Sequence, residues 1–377
     1  MPFSEEQVLI QDMAKAFAYD RLRPNAMLWE KEERLDRETL QALGELGFGG
    51  IYTETEHGGS GLGRLDGALI FEQLSKGCNS HATFLSIHNM ATWMIDRFAG
   101  DELRERFVPA LTAGEKIASY CLTEPGAGSD AASLKTRAQK SESGYVLNGA
   151  KMFISGAGFS DVYLVMARTS DDGAKGVSAF IVEKDTPGLS FGKNEEKMGW
   201  RAQPTAMVNF DDCEIPATNL IGTEGDGFKY AMAGLDGGRI NIAACSLGAA
   251  QDALDRALDY SKDRKQFGKS IAEFQATQFK LADMETELQA ARALLYQAAR
   301  KLDEKAGDAS KFCAMAKRFV TDTGSKVAND ALQIHGGYGY LADYEVERIV
   351  RDLRVHQILE GTNEIMRVII SRDLLKD

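Results

Sequence analysis

The sequence predicts an α+β protein. A central antiparallel β sheet or small β barrel should lie between an N-terminal helical region and a C-terminal four-helix bundle. Three observations carry this. All seven prolines lie at or before Pro216, so nothing between 217 and 377 forbids long helices. Apolar residues in that stretch recur at spacings of three and four, the period of an amphipathic helix. Short β-type runs are confined to the middle of the chain, where Gly- and Asp-containing turns separate them.

Up to about residue 118 the pattern is helical, for example over Glu5 to Leu22 and Asp66 to Lys76. Next come the β runs Tyr145–Leu147, Val162–Ala167, Val177–Val182 and Met207–Phe210, with turns such as Asn148-Gly149 and Asp171-Asp172-Gly173. They do not alternate with helices, so a parallel βαβ sheet is not expected. Further on, Leu247, Ala250, Leu254, Ala257 and Leu258 mark one helix. Leu281, Met284, Leu288, Ala291, Leu295, Ala298 and Leu302 mark a second, and Phe312, Met315, Phe319, Thr323 and Val327 a third. A last helix is expected from about Asn363 to Leu375, and adjacent helices of this length favour an antiparallel bundle. The expected domains are 1–118, 119–225 and 226–377.

Charge narrows the function classes. A net charge of −12 argues against a duplex nucleic-acid binder and against a polybasic membrane-surface protein. Cys78, Cys121, Cys213, Cys245 and Cys313 are scattered, odd in number and without a C-x-x-C, which disfavours a disulfide framework or zinc ribbon. The first residues form neither a signal nor a transit peptide, and no 18-residue apolar run predicts a membrane span. The expected location is bacterial cytoplasm, or the mitochondrial matrix for a processed chain.

Familiar motifs mostly fail. Gly126-Ala-Gly128-Ser-Asp-Ala131 and Gly337-Tyr-Gly339-Tyr-Leu-Ala342 both match G-x-G-x-x-A, but neither opens a helix within a βαβ unit. Gly268-Lys269-Ser270 lacks the first glycine of a phosphate loop, because Asp263 stands there. The five histidines show no metal-ligand spacing, and G-x-S-x-G is absent. The loop Glu124–Asp130 has little side-chain bulk, so its N–H groups could approach a ligand; taken alone, an ordinary turn is the plainer reading. Glu360 follows the apolar Ile358-Leu359 and precedes a glycine and a candidate helix cap, Thr362 or Asn363. Burial would raise its pKa and suit it to take a proton near neutrality. By itself, a solvated glutamate at a helix start is the plainer reading.

Four stretches together resemble the acyl-CoA dehydrogenase family over nearly the whole chain, from about Ser4 to Leu375. They are Tyr120–Asp130, Arg264–Gly268 followed by Gln275, Gln333–Tyr340 and Gln357–Glu364. The resemblance implies an FAD enzyme that places a double bond between Cα and Cβ of an acyl-CoA. A carboxylate takes the α-proton while the β-hydrogen leaves as hydride to the flavin. It makes Glu360 that base. It lines the flavin with Tyr120, Leu122 and Thr123 and with Phe153, Ile154 and Ser155, where Phe153 stands at a position that is often tryptophan in the family. It puts Ser129 where flavin and CoA approach each other, and Asp236, Arg239, Gly361 and Arg372 at the substrate. Arg264, Phe267, Phe274, Gln275, Gln333, Gly336 and Gly337 would hold the FAD tail of a neighbouring subunit. Thr362, Asn363 and Glu364 would close the site at a helix N-terminus. Some relatives carry the base at the position of Gly238, where this sequence has no carboxylate. No metal is implied.

The resemblance also implies a homotetramer with an electron-transfer flavoprotein as electron acceptor. The stretches Ser86–Met90, Gly237–Ile242, Ser246–Ala250 and Arg351–Gln357 are most similar to the branch acting on isobutyryl-CoA in valine breakdown. The expected conversion is isobutyryl-CoA to methacrylyl-CoA. A straight short-chain dehydrogenase, an acyl-CoA oxidase and a catalytically inactive binding scaffold on the same fold stay open as alternatives.

Overall fold

In the computed structural model, which describes residues 3–376, six helices precede the first strand: α1 (Glu5–Phe17), α2 (Ala26–Glu32), α3 (Arg37–Glu45), α4 (Arg64–Gly77), α5 (Asn79–Phe98) and α6 (Asp101–Thr112). Ser4 starts α1 through a reciprocal capping box with Gln7, which satisfies two backbone donors at once. Helices α4 and α5 are buried nearly throughout, so neither shows a clean amphipathic stripe in sequence.

The middle of the chain forms one eight-stranded sheet. Its strands are β1 (Ala118–Cys121), β2 (Arg137–Lys140), β3 (Gly144–Ser155), β4 (Val162–Arg168), β5 (Val177–Glu183), β6 (Leu189–Phe191), β7 (Thr205–Pro216) and β8 (Leu220–Ile221). The order is β6-β7-β3-β2-β4-β5-β8, with β1 also paired to β4. All four expected β runs lie within these strands. The sheet is antiparallel except where β1 and β2 each run parallel to β4. Strands β4 and β5 are buried on both faces, which explains their continuous rather than alternating apolar pattern.

Three long helices follow: α7 (Gly227–Asp263), α8 (Gln275–Asp303) and α9 (Ala309–His335), with the shorter α10 (Val346–Arg354) and α11 (Asn363–Leu374) packed on α9. The stripe expected on α8 is its core face, with Met284, Leu288, Ala291, Leu295 and Ala298 buried. On α9 the most buried face differs from the expected one. It runs through Cys313, Ala316, Lys317, Val320, Gly324, Val327 and Ala331, while Phe312 and Phe319 pack at its margin. Small residues let α9 approach α7 closely: a Cβ on Gly324 would stand 3.2 Å from the Ser246 carbonyl oxygen. Among the described residues, no helix is long and apolar enough to cross a membrane.

Candidate active site

Glu360 sits in the turn between α10 and α11, where the sheet, α7 and α9 converge. Its φ is +56° and that of Gly361 is +88°. That φ favours glycine at 361, and an added Cβ would also press on Met366 Cε at 2.7 Å. The residue as a whole is half-buried, but its Oε2 is wholly buried and has no hydrogen-bond partner. Burial raises the Glu360 pKa from 4.5 to about 7, against the opposing pull of Arg239 and Lys317.

Three elements set this environment. From α7, Arg239 donates through Nε to the Glu360 carbonyl at 3.4 Å and pairs with Asp236 at 2.6 Å, and Ser310 also bonds Asp236. From α9, Lys317 Nζ donates to the Gly361 carbonyl at 2.8 Å and to Asn363 Oδ1 at 2.9 Å. From β1, Tyr120 contributes a buried hydroxyl that has no partner. Burial, reinforced by the Glu360 charge, holds that phenol well above its ordinary pKa. Gly238 lies against the carboxylate from below, on α7.

The residues expected to line a flavin come from β1, the segment after it and β3. The register of β3 with β7 slips between Lys151 and Ile154, a bulge that leaves one extra residue on β3. Phe153 occupies that slip with φ +58° and is 59% exposed, while Ile154 turns into the core. Met152 N–H donates to the Thr123 carbonyl at 2.8 Å, which ties the bulge to the 120–130 segment. Ser155 accepts from Gln203 at 2.6 Å and is half-buried. Leu122 is buried, and its carbonyl accepts from Lys151 Nζ at 3.1 Å. Lys151 also pairs with Glu124 at 2.8 Å, and Glu124 caps the N–H groups of Lys135 and Thr136. This buried pair braces the loop bearing Ser129, which is itself exposed. A Cβ on Gly126 or Gly128 would meet nothing within 4 Å.

A second group gathers at the far end of α7. Residues Lys265–Gln266 and Lys269–Ser270 form a small hairpin whose turn, Phe267-Gly268, has positive φ at both positions and leaves Phe267 94% exposed. Phe267 meets Phe274 edge-to-face at 6.1 Å. Arg264 lies 5.2 Å from the Tyr338 ring and lines an open cleft of about 410 Å³ with Gly336 and Gly337. Gln275 and Gln333 are exposed on the adjoining helices α8 and α9.

Some expected residues stand apart. Arg372 is exposed in the last turn of α11. Thr362 is the N-cap of α11, bonded to Ile365 N–H at 3.3 Å. Asn363 is buried and committed to Lys317, Thr321 and Asp322, and Glu364 faces solvent. Sequence reasoning missed Lys317, Lys151 and His356. His356 is buried between Ser246, Trp200 and Asn79, and desolvation pushes its pKa down to about 3. The signal for Lys317 was its place in the small-residue face of α9, one turn from both Cys313 and Val320.

Family models cover most of the chain. The N-terminal, middle and C-terminal domain models of acyl-CoA dehydrogenase match residues 4–115, 119–213 and 225–375. The chain belongs to the acyl-CoA dehydrogenase family. It is 53% identical to the mitochondrial isobutyryl-CoA dehydrogenase of Bos taurus, over 100% of this chain and 91% of that one. The mitochondrial isobutyryl-CoA dehydrogenase of Dictyostelium discoideum is 55% identical over 99% of this chain and 90% of its own length. A chain in the solved structure of the electron transferring flavoprotein of Acidaminococcus fermentans is 44% identical, covers 100% of both chains and superposes with a TM-score of 0.98.

Acyl-CoA dehydrogenases are flavin oxidoreductases. The site fits such a group. The exposed Phe153 ring follows Met152, which is tied to the Thr123 carbonyl, the buried Tyr120 hydroxyl has no partner and feels the Glu360 charge, and the loop at Gly126–Gly128 is open.

Proposed function

We propose that this acyl-CoA dehydrogenase converts isobutyryl-CoA to methacrylyl-CoA, with Glu360 taking the α-proton. The observation that carries the base assignment is the partnerless, buried Oε2, on a carboxyl group raised to about 7. Such a group changes protonation state near neutral pH and has no competing donor. Its backbone N–H, held in the left-handed turn, is available to the thioester oxygen and would stabilise charge developing there. A bound FAD would supply the hydride acceptor. Tyr120, Leu122, Thr123, Ser129, Phe153, Ile154 and Ser155 would hold its ring system and exclude water from the α-carbon. Asp236 and Arg239 form an ion pair with Arg239 on the Glu360 carbonyl, so in this reading they orient the base at the acyl end. Gly361 gives the substrate a backbone surface, and Arg372 meets the outer CoA.

The two isobutyryl-CoA dehydrogenases at 53% and 55% identity support the substrate. The solved relative in an electron transferring flavoprotein structure supports such a flavoprotein as acceptor. The proposed assembly is a homotetramer of chains with domains 1–118, 119–225 and 226–377. The proposed location is bacterial cytoplasm or mitochondrial matrix, in keeping with the relatives' names.

Anaerobic titration of the holoenzyme with isobutyryl-, butyryl- and octanoyl-CoA tests this. Isobutyryl-CoA should reduce the flavin with the highest kcat/KM. A maximum at octanoyl-CoA would sink the substrate assignment. Glu360→Gln should keep flavin and CoA-product binding while reduction falls by more than the ~10²–10⁴ usual for loss of a general base, because α-proton and β-hydride depart together. Reduction within tenfold of the parent rate would sink the base assignment.

A further inference from the structure

Lys317 lies about a third of the way along α9 with none of its surface exposed. A buried ammonium is costly unless it is well paired. Its two hydrogen-bond acceptors are neutral oxygens, both on the turn that carries Glu360: the Gly361 carbonyl and Asn363 Oδ1. The Asn363 amide is fixed in turn, donating to Asp322 at 2.8 Å and to Thr321 at 3.0 Å. Arg239 reaches the same turn from α7, at the Glu360 carbonyl. A non-glycine residue with positive φ is strained and persists only where its surroundings hold it.

We infer that Lys317 is a positioning residue for the base, clamping the Glu360–Gly361 turn through the Gly361 carbonyl and lending its positive charge to the Glu360 carboxylate. This rests on the reading of Glu360 as the base. The groups facing Glu360 are Arg239 from α7, Lys317 from α9 and Tyr120 from β1. Those facing Lys317 are Glu360, Arg239, Asp322 and Glu364, and His356 also feels its charge. Burial lowers Lys317 to about 7 and raises Glu360 to about 7, and each charge opposes the shift of the other. Without Lys317, only Arg239 counters the burial of Glu360.

The test is the pH profile of substrate-driven flavin reduction in holoenzymes carrying Lys317→Met, Lys317→Gln and Lys317→Arg. In the Met and Gln proteins the acidic limb should move to a pH higher by about 1. Below the limb the rate should then fall about tenfold, with KM little changed. Lys317→Gln retains a donor for the Gly361 carbonyl, so its high-pH plateau should stay nearer the parent's than that of Lys317→Met. Lys317→Arg keeps the charge and should keep the parent limb. Should Lys317→Met not fold, Lys317→Gln decides alone. A limb at the parent position in the uncharged variant overturns the inference. That failure is separate from failure of the base itself, which would appear as a Glu360→Gln enzyme reducing its flavin at the parent rate.

Discussion

Gly238 supports the Glu360 carboxylate from α7: a Cβ at position 238 would stand 2.5 Å from Glu360 Oε2 and 3.1 Å from Met90 Sδ. Gly238→Ala should therefore separate stability from catalysis. In a helix interior the change gains about 1 kcal/mol of propensity. Here the new methyl group displaces the carboxylate proposed as the base, and a misplacement of about 1 Å can cost on the order of a hundredfold. The expected protein holds its full complement of flavin and reduces it ten- to a hundredfold more slowly, roughly. A single-turnover rate within twofold of the parent would show that the carboxylate works from another place.

With Glu360 as the proposed base, the same contact predicts that the carboxylate can be supplied from α7 instead. Glu360 has φ +56°, which glycine adopts freely, so Glu360→Gly leaves the turn unstrained and empties the carboxylate's space. Gly238→Glu then grows a carboxylate into that space from below. The double variant should recover a measurable part of the flavin reduction that Glu360→Gly loses. Equal inactivity of the single and double variants would refute this.

Glu360 also makes a pH prediction whose sign is fixed by its shift. Its proton affinity in the fold is raised from 4.5 to about 7. The folded chain thus binds more protons than the unfolded chain between those values, and this group's contribution to stability falls as pH rises through that window. Glu360→Gln removes the penalty. Its Tm should match the parent near pH 4.5 and exceed it by a few degrees at pH 8. A difference that stays flat across this range would mean that the carboxyl is not held neutral by burial.

Lys151 and Glu124 are a buried pair at 2.8 Å, with Lys151 wholly unexposed. Removing one partner of such a pair leaves an uncompensated charge and typically costs about 3–5 kcal/mol. Lys151→Met should fall at the low end, because Glu124 keeps its bonds to Lys135 and Thr136 N–H. Adding Glu124→Gln should recover part of the loss. The loop 122–130 should loosen first, seen as flavin released at a lower temperature than in the parent. An unchanged release temperature would show that the pair does not brace the loop.

What could be read beforehand follows the range of each interaction. The α8 stripe was visible because a helix face is set by residues three and four apart. The two parallel pairings to β4 were not, because β1 meets β4 only after about forty intervening residues have folded back. Phe153 was legible as an aromatic position by resemblance, but the bulge that exposes it depends on the register with β7, far along the chain. On α9, large Phe312 and Phe319 mark the margin of the core face rather than its centre, since the close α7–α9 contact rewards small residues and hides a lysine among them. Glu360 itself was ambiguous between surface and interior: its neighbours in sequence are partly exposed, while the groups facing it, Gly238, Arg239, Lys317 and Tyr120, lie far off in sequence.

Arg264 leads to the last prediction, that the flavin site is completed by a second chain. Gly238 lies against the Glu360 carboxylate, and Arg264 follows the last residue of the same helix, 26 positions on. At 1.5 Å per residue this is about 39 Å, farther than one flavin dinucleotide spans. The Arg264 cleft therefore cannot hold a flavin whose ring lies beside Glu360 of its own chain. The end of α7 carries an open cleft of about 410 Å³ with Gly336 and Gly337 in its wall, and nearby in sequence Phe267 is 94% exposed and Tyr340 83%. The proposed reading is that it takes the tail of a flavin whose ring sits in the neighbouring subunit. Arg264→Ala should keep the fold and lower flavin affinity at least tenfold, roughly the worth of one charge-assisted contact. Dilution that separates the chains should release flavin in step with the loss of oligomer, followed by light scattering and flavin fluorescence. A monomer that holds its flavin, or an Arg264→Ala protein of full affinity, would place the whole cofactor within one chain.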